Sequence, residues 1–149
     1  MLLRIYLTLL ACATLAFVSS VPTYAQVRNF SPVTDAVLQN PDPGDWLSWR
    51  RTLDGWGYSP LDEIDTDNVG DLRLVWSWGL EAGGSQTTPV VYDGVMYVAN
   101  PGNVVQALDA RNGDFIWEFR YEMDERRRAG AQMRSLAIYE DLVILNTVD

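Results

Sequence analysis

The chain has 149 residues, 48% of them hydrophobic, with 20 acidic side chains against 11 basic ones and no histidine. That much apolar text excludes disorder of the chain as a whole and suffices for one ordinary domain. The formal net charge of -9 repels a phosphate backbone, so no nucleic-acid partner is expected, whereas a basic protein would be steered towards the surface.

The first 25 residues predict a cleaved signal peptide. Arg4 supplies a positive start, residues 5–18 are almost all apolar, and Thr23-Tyr24-Ala25 places small residues at a cleavage site before Gln26. The apolar run is short for a membrane span and no basic cluster follows it, so no transmembrane segment is expected in the mature chain. Lipidation of Cys12, after Leu9-Leu10-Ala11, is the alternative, and it would leave a very short leader. Cleavage removes the single cysteine, Cys12, and with it any disulfide. With no histidine either, a zinc site of the usual kind is not expected, and any metal held here would need oxygen ligands.

Residues 26–43 predict an extended, loosely ordered arm containing Asn29, Pro32, Asn40 and Pro41. Gly44-Asp45-Trp46-Leu47-Ser48-Trp49-Arg50 reads as one or two helical turns or a strand. Trp46, Trp49, Trp56 and Tyr58 crowd the text that follows and predict a packed aromatic cap on a core, with a ligand-facing role as the alternative. Asn68-Val69-Gly70-Asp71-Leu72 reads as a turn or helical turn. Leu72, Leu74, Trp76 and Trp78 then alternate as in a half-buried strand, although Val75 breaks the pattern.

The clearest hairpin is Pro89-Val90-Val91-Tyr92, Asp93-Gly94, Val95-Met96-Tyr97-Val98-Ala99, because Asp-Gly between apolar runs is a strong two-residue turn signal. Pro101-Gly102-Asn103 and Asp109-Ala110-Arg111-Asn112-Gly113 turn the chain on either side of a strand over residues 104–108. A further strand over residues 114–121 is expected to carry Phe115, Trp117 and Phe119 on one face. Met123 to Gln132, centred on Arg126, Arg127 and Arg128, reads as a solvated loop. Strands resume over residues 135–139 and 142–146, around a turn at Glu140-Asp141.

Tyr92 and Tyr139 occupy matching places in two similar hairpins, 47 positions apart. Repeats of about 40 to 50 residues are what propeller blades require, and blades shield one another radially, so an isolated blade is left with an uncovered face. In Ala107-Leu108-Asp109-Ala110-x-x-Gly113-Asp114-x-x-Trp117 the glycine suits a positive-φ turn position, Asp109 suits the turn amides, and Trp117 reads as packing between adjacent sheets.

Residues 44–149 resemble the start of a pyrroloquinoline quinone (PQQ)-dependent alcohol dehydrogenase of the methanol/ethanol type. The matching text is Gly44-Asp45-Trp46-Leu47, Tyr58-Ser59-Pro60-Leu61, Asp67-Asn68-Val69-x-x-Leu72, Thr88-Pro89-Val90-Val91-Tyr92-Asp93-Gly94-Val95-Met96-Tyr97 and Ala107-Leu108-Asp109-Ala110-x-x-Gly113-x-x-x-Trp117. The resemblance implies an all-β, eight-bladed β-propeller, of which the arm, about one blade and the start of the next are expected here. It implies a periplasmic enzyme with PQQ and a calcium or lanthanide ion, oxidising a small alcohol and passing electrons to a c-type cytochrome. The family's metal ligands and catalytic aspartate lie downstream of its matching region, so none is assigned here, and the chain alone is expected to be inactive. Asp93, Asp109 and Asp141 sit in turns and are given no such role.

Two cofactor contacts carry over from the resemblance. The family's glutamate before Thr-Pro falls on Gln86, which keeps the reach and loses the charge; Thr87 and Thr88 beside it are weaker candidates. The family's quinone-contacting arginine falls on Arg134, which can stabilise negative charge developing on an ortho-quinone oxygen. The alternatives are a loop-capping amide for Gln86 and a structural ion pair for Arg134. An adjacent cysteine pair that the family carries would fall near Arg128 and Ala129 and is absent. Competing functions are a quinoprotein acting on a sugar or polyol, and a non-catalytic propeller used for assembly or binding.

Overall fold

The computed structural model describes residues 30–122 and 133–147; the expected signal peptide over residues 1–25 and the expected loop with Arg126, Arg127 and Arg128 lie outside them. Six strands form in chain order: β1 (Val90–Tyr92), β2 (Val95–Asn100), β3 (Val104–Asp109), β4 (Phe115–Arg120), β5 (Leu136–Tyr139) and β6 (Leu142–Leu145). The first four make one antiparallel meander in the order β1-β2-β3-β4, and the last two make a separate hairpin.

Local chemistry sets the turns. Asp93 and Gly94 adopt φ values of 47° and 75°, both positive as a type I′ turn requires, and that turn's twist matches the strands it joins. Asn103 and Glu140 supply positive φ at two further turns, with values of 58° and 50°. Asp109 accepts from the amides of Arg111 (2.8 Å) and Asn112 (3.4 Å). Gly113 has φ 75°, and a Cβ there would stand 2.7 Å from Trp76 Cδ2, so both backbone and packing require glycine.

The register divides the meander into two faces. Val90 opposes Tyr97, Tyr97 opposes Ala107, and Ala107 opposes Trp117, while Ala99 opposes Val105 and Val105 opposes Phe119. This face packs on Val33, Leu47, Met133, Leu136 and Ile138 and forms the core. The other face carries Asn100, Gln106, Leu108 and Glu118.

Phe115 does not share a face with Trp117 and Phe119, as strict alternation predicts. The pairing passes from Ala107–Trp117 to Leu108–Phe115 across a register shift. The extra residue, Ile116, rotates Phe115 to the opposite side, where it stacks on Trp78 at 6.0 Å. Trp117 does pack between sheets: with Val105 and Phe119 it faces Leu142, Val143 and Leu145 of β6 across a groove of about 320 Å³.

The arm is not extended throughout. Thr34 accepts from the Val37 amide (3.4 Å) and caps a short helix, α1 (Asp35–Gln39). Val33 and Glu140 exchange backbone bonds of 2.9 and 2.8 Å, and Trp46 and Val91 exchange bonds of 2.8 and 2.9 Å. The arm thereby ties both hairpins together. A single 3-10 turn, Val69–Asp71, stands where a helical turn is predicted.

Two expectations fail between residues 49 and 80. Trp49, Trp56 and Tyr58 are 62%, 75% and 69% exposed, so they form no packed cap among the described residues. Residues 72–78 form no strand. Among the described residues, no strand lies beside them to accept a ladder, and residues 73–87 make no backbone–backbone hydrogen bond. Instead Trp76 Nε1 donates to the Ala110 carbonyl (3.2 Å) and Trp78 Nε1 to Gln106 Oε1 (2.8 Å), which hangs the segment on the second face of the meander.

Asp45 is buried beneath the first hairpin and accepts from the Asp93 amide at 3.0 Å. Burial pushes its carboxyl above the ordinary aspartate value, against the opposing pull of that amide and of Arg51. The folded state therefore holds this proton more tightly than the unfolded chain, so stability falls as pH rises through the window above the ordinary value. Asp45→Asn keeps an acceptor for Asp93 and should flatten that decline, measured by urea midpoints between pH 4 and 7, a window of about three units chosen to span it.

Candidate cofactor site

The two candidate contacts stand on the chain leading into β1 and on the chain leading into β5. The fold brings these lead-ins side by side. The Thr88 amide donates to the Arg134 carbonyl at 3.3 Å, and the Thr87 hydroxyl donates to the Ala99 carbonyl at 2.9 Å and approaches the Met133 carbonyl at 3.3 Å. Met133 and Leu136, on either side of Arg134, are both buried in the core, so the backbone carrying Arg134 is anchored while its side chain is exposed. Gln86 is exposed as well. Neither side chain hydrogen-bonds another described residue, so an amide and a guanidinium are free at neighbouring strand entrances.

The loop leading to Gln86 is fixed from the second face of the meander. The Glu81 amide donates to Asn100 Oδ1 (3.2 Å), and Arg120 pairs with Glu81 (2.8 Å) and Glu118 (3.2 Å). Both carboxylates hold the exposed Arg120 guanidinium more firmly in its charged form. Gly83 has φ 143°, and a Cβ there would meet Pro101 Cβ at 2.8 Å, a close approach that only glycine permits.

Behind this loop, Gln106 is the hub of a polar network. Its Oε1 accepts from Asn100 Nδ2 and Trp78 Nε1, each at 2.8 Å, and its Nε2 donates to Glu118 Oε2 at 2.8 Å. Sequence reasoning did not single out Asn100 or Gln106. Their signal is an amide side chain at the end of the apolar β2 and another inside the apolar run that opens β3. Thr87 entered as a weak cofactor candidate; the structure commits its hydroxyl to two backbone carbonyls instead.

No group of three or more His, Cys, Asp or Glu side chains suited to a metal occurs among the described residues. Asp93 and Asp141 lie in turns, and Asp109 ends β3 with its carboxylate accepting from the turn amides that follow. No described helix is long and apolar enough to cross a membrane.

Residues 46–144 match the family model described as PQQ glucose/ethanol/alcohol dehydrogenase, beta-propeller domain. The chain belongs to this family. It is 41% identical over 119 residues to the quinohemoprotein alcohol dehydrogenase ADH-IIG of Pseudomonas putida, covering 76% of this chain and 16% of the relative. It is 39% identical over 111 residues to the 1-butanol dehydrogenase (cytochrome c) of Thauera butanivorans, covering 71% and 16%. Among solved structures, the quinohemoprotein alcohol dehydrogenase ADHIIG from Pseudomonas putida HK5 superposes with a TM-score of 0.73 at 38% identity, covering 80% of this chain and 19% of that one. A europium-containing methanol dehydrogenase superposes with a TM-score of 0.68 at 29% identity, covering 76% and 21%. The chain thus spans about a sixth of the length of its curated relatives, and its antiparallel sheets are those of a PQQ-dependent alcohol dehydrogenase β-propeller.

Proposed function

We propose that this chain supplies part of the propeller of a periplasmic PQQ-dependent alcohol dehydrogenase, with Gln86 and Arg134 as cofactor contacts. The observation that carries the reading is the Thr88–Arg134 backbone bond, which sets side by side two strand lead-ins whose exposed Gln86 and Arg134 side chains bond no other described residue, in a chain of this family. Bound PQQ would supply the two-electron acceptor for alcohol oxidation, beside calcium or a lanthanide. The donor set fits such a group. Arg134 offers a fixed positive charge to an ortho-quinone oxygen that gains electron density, and Gln86 offers a neutral amide that donates and accepts.

A small alcohol is the proposed substrate and a c-type cytochrome the proposed electron acceptor; the names of the Thauera and Pseudomonas relatives support both. The acidic composition, net -9, suits a basic electron carrier. The leader over residues 1–25 is the basis for export. A sugar or polyol is the second reading for the substrate, supported by the glucose in the family description.

Two contacts of this kind give binding in the millimolar range, equivalent to roughly 4 kcal/mol. In the ¹⁵N-labelled chain, PQQ should therefore shift the Gln86 side-chain amide and Arg134 Nε signals together, and Arg134→Ala should weaken the Gln86 response about tenfold, a loss of about 1.4 kcal/mol. Absence of any shift at both groups would remove them from the cofactor site. The chain alone is proposed to be inactive, so alcohol-dependent dye reduction with PQQ and calcium should stay at the no-protein control.

A further inference from the structure

The cofactor reading gives the Thr87 hydroxyl no role. Thr87 Oγ1 reaches the Ala99 carbonyl at 2.9 Å and the Met133 carbonyl at 3.3 Å. A threonine hydroxyl has one proton, so the shorter contact takes most of it and the longer one shares it. The two acceptors belong to different parts of the fold. Ala99 lies in β2, fully buried, and Met133 lies on the lead-in to β5, also buried. Thr87 is adjacent in sequence to Gln86, and Met133 is adjacent to Arg134. One side chain thus bridges the backbone beside each proposed contact, and the Thr88–Arg134 bond accompanies it.

We infer that Thr87 is a positioning residue that sets the separation of Gln86 and Arg134 for the quinone cofactor without touching the cofactor itself. The inference rests on the cofactor role of those two residues. Its physical content is that a free amide and a free guanidinium act on one ligand only if their backbones are held in a fixed relation. The hydroxyl couples them at the point where the two sheets meet. A Val side chain has the same shape as Thr and lacks the donor. A Ser side chain keeps the donor and drops the methyl.

The test compares the unsubstituted chain with Thr87→Val and Thr87→Ser, with PQQ alone as the probe. Hydrogen exchange at the Thr88 amide reports the bridge, and PQQ titration of the Gln86 and Arg134 signals reports positioning. Thr87→Val should speed Thr88 exchange about tenfold and raise the PQQ midpoint about tenfold at both groups, while Thr87→Ser should restore both values. Exchange along β2 and β3 serves as the control for folding. An unchanged PQQ midpoint in Thr87→Val would leave Thr87 as a structural bridge only and overturn the inference. If Thr87→Val loses the β2 and β3 protection, Thr87→Ser decides: a wild-type midpoint supports the inference and a shifted one overturns it. No PQQ response at either group in the unsubstituted chain defeats the cofactor reading and this inference together. A wild-type response that Thr87→Val leaves intact defeats this inference alone.

Discussion

Tyr97→Ala is expected to cost about 3–5 kcal/mol of folding stability, the range for removing a buried aromatic side chain from a packed core. Tyr97 is among the largest fully enclosed side chains of the described residues. It lies between Val90 of β1 and Ala107 of β3 in the register, and its ring sits 5.9 Å from Trp117. Its removal opens a cavity at the centre of the meander. Relaxation there is restricted on the β1 side, because Val91 of that strand is tied to Trp46. Domains of this size have total stabilities of about 5–15 kcal/mol, so a large share of the folded population would be lost. Urea denaturation followed by tryptophan fluorescence measures the effect, and a loss below about 1 kcal/mol would show that the core collapses around the gap.

Tyr97→Phe separates ring from hydroxyl. Burial pushes the Tyr97 phenol up to about 12, from an ordinary value of 10.0. The folded state therefore keeps the proton after the unfolded chain has released it, and stability falls as pH rises from about 10 to 12. The Phe variant should keep most of the stability of the parent and lose that part of the alkaline decline.

The features legible in the sequence are those fixed by chemistry within a few residues. Asp93-Gly94 sets its turn because both positions must take positive φ, and the alternation of β2 and β3 follows once that turn is in place. Glu140 turns the second hairpin with positive φ at its first position alone. Residues 72–78 show why the same reasoning fails elsewhere. Alternation states which side of a strand is apolar, but a strand exists only beside a partner, and the described residues supply none. The tryptophans of residues 49–56 are misread for a related reason. Whether an aromatic is buried depends on what covers it, and the aligned region is 16% of the length of the Pseudomonas putida relative. Ile116 inverts Phe115 through one extra residue, which a period-2 reading cannot register. At the candidate site, Gln86 and Arg134 are candidates on the family resemblance alone. Their juxtaposition is not legible in the sequence, because it depends on a tertiary bond between Thr88 and Arg134.

Gln106→Leu is expected to cost about 2–4 kcal/mol even though leucine fills a similar volume, because it leaves buried polar groups without partners. Gln106 accepts from Asn100 and Trp78 and donates to Glu118. These three partners fare differently. Glu118 keeps Arg120, and Trp78, at 36% exposed, can turn its indole to water. Asn100 is fully buried, and its Nδ2 would have no replacement acceptor among the described residues, so it sets most of the cost. The double variant with Asn100→Leu should therefore lose less than the sum of the two single changes. That coupling distinguishes an unsatisfied donor from simple loss of packing. Because Asn100 Oδ1 also receives the Glu81 amide, the disturbance should reach the loop that ends at Gln86. Faster hydrogen exchange at the Glu81 amide in Gln106→Leu is the local readout. A stability change within about 0.5 kcal/mol, together with unchanged exchange at Glu81, would show that water replaces the network at no cost.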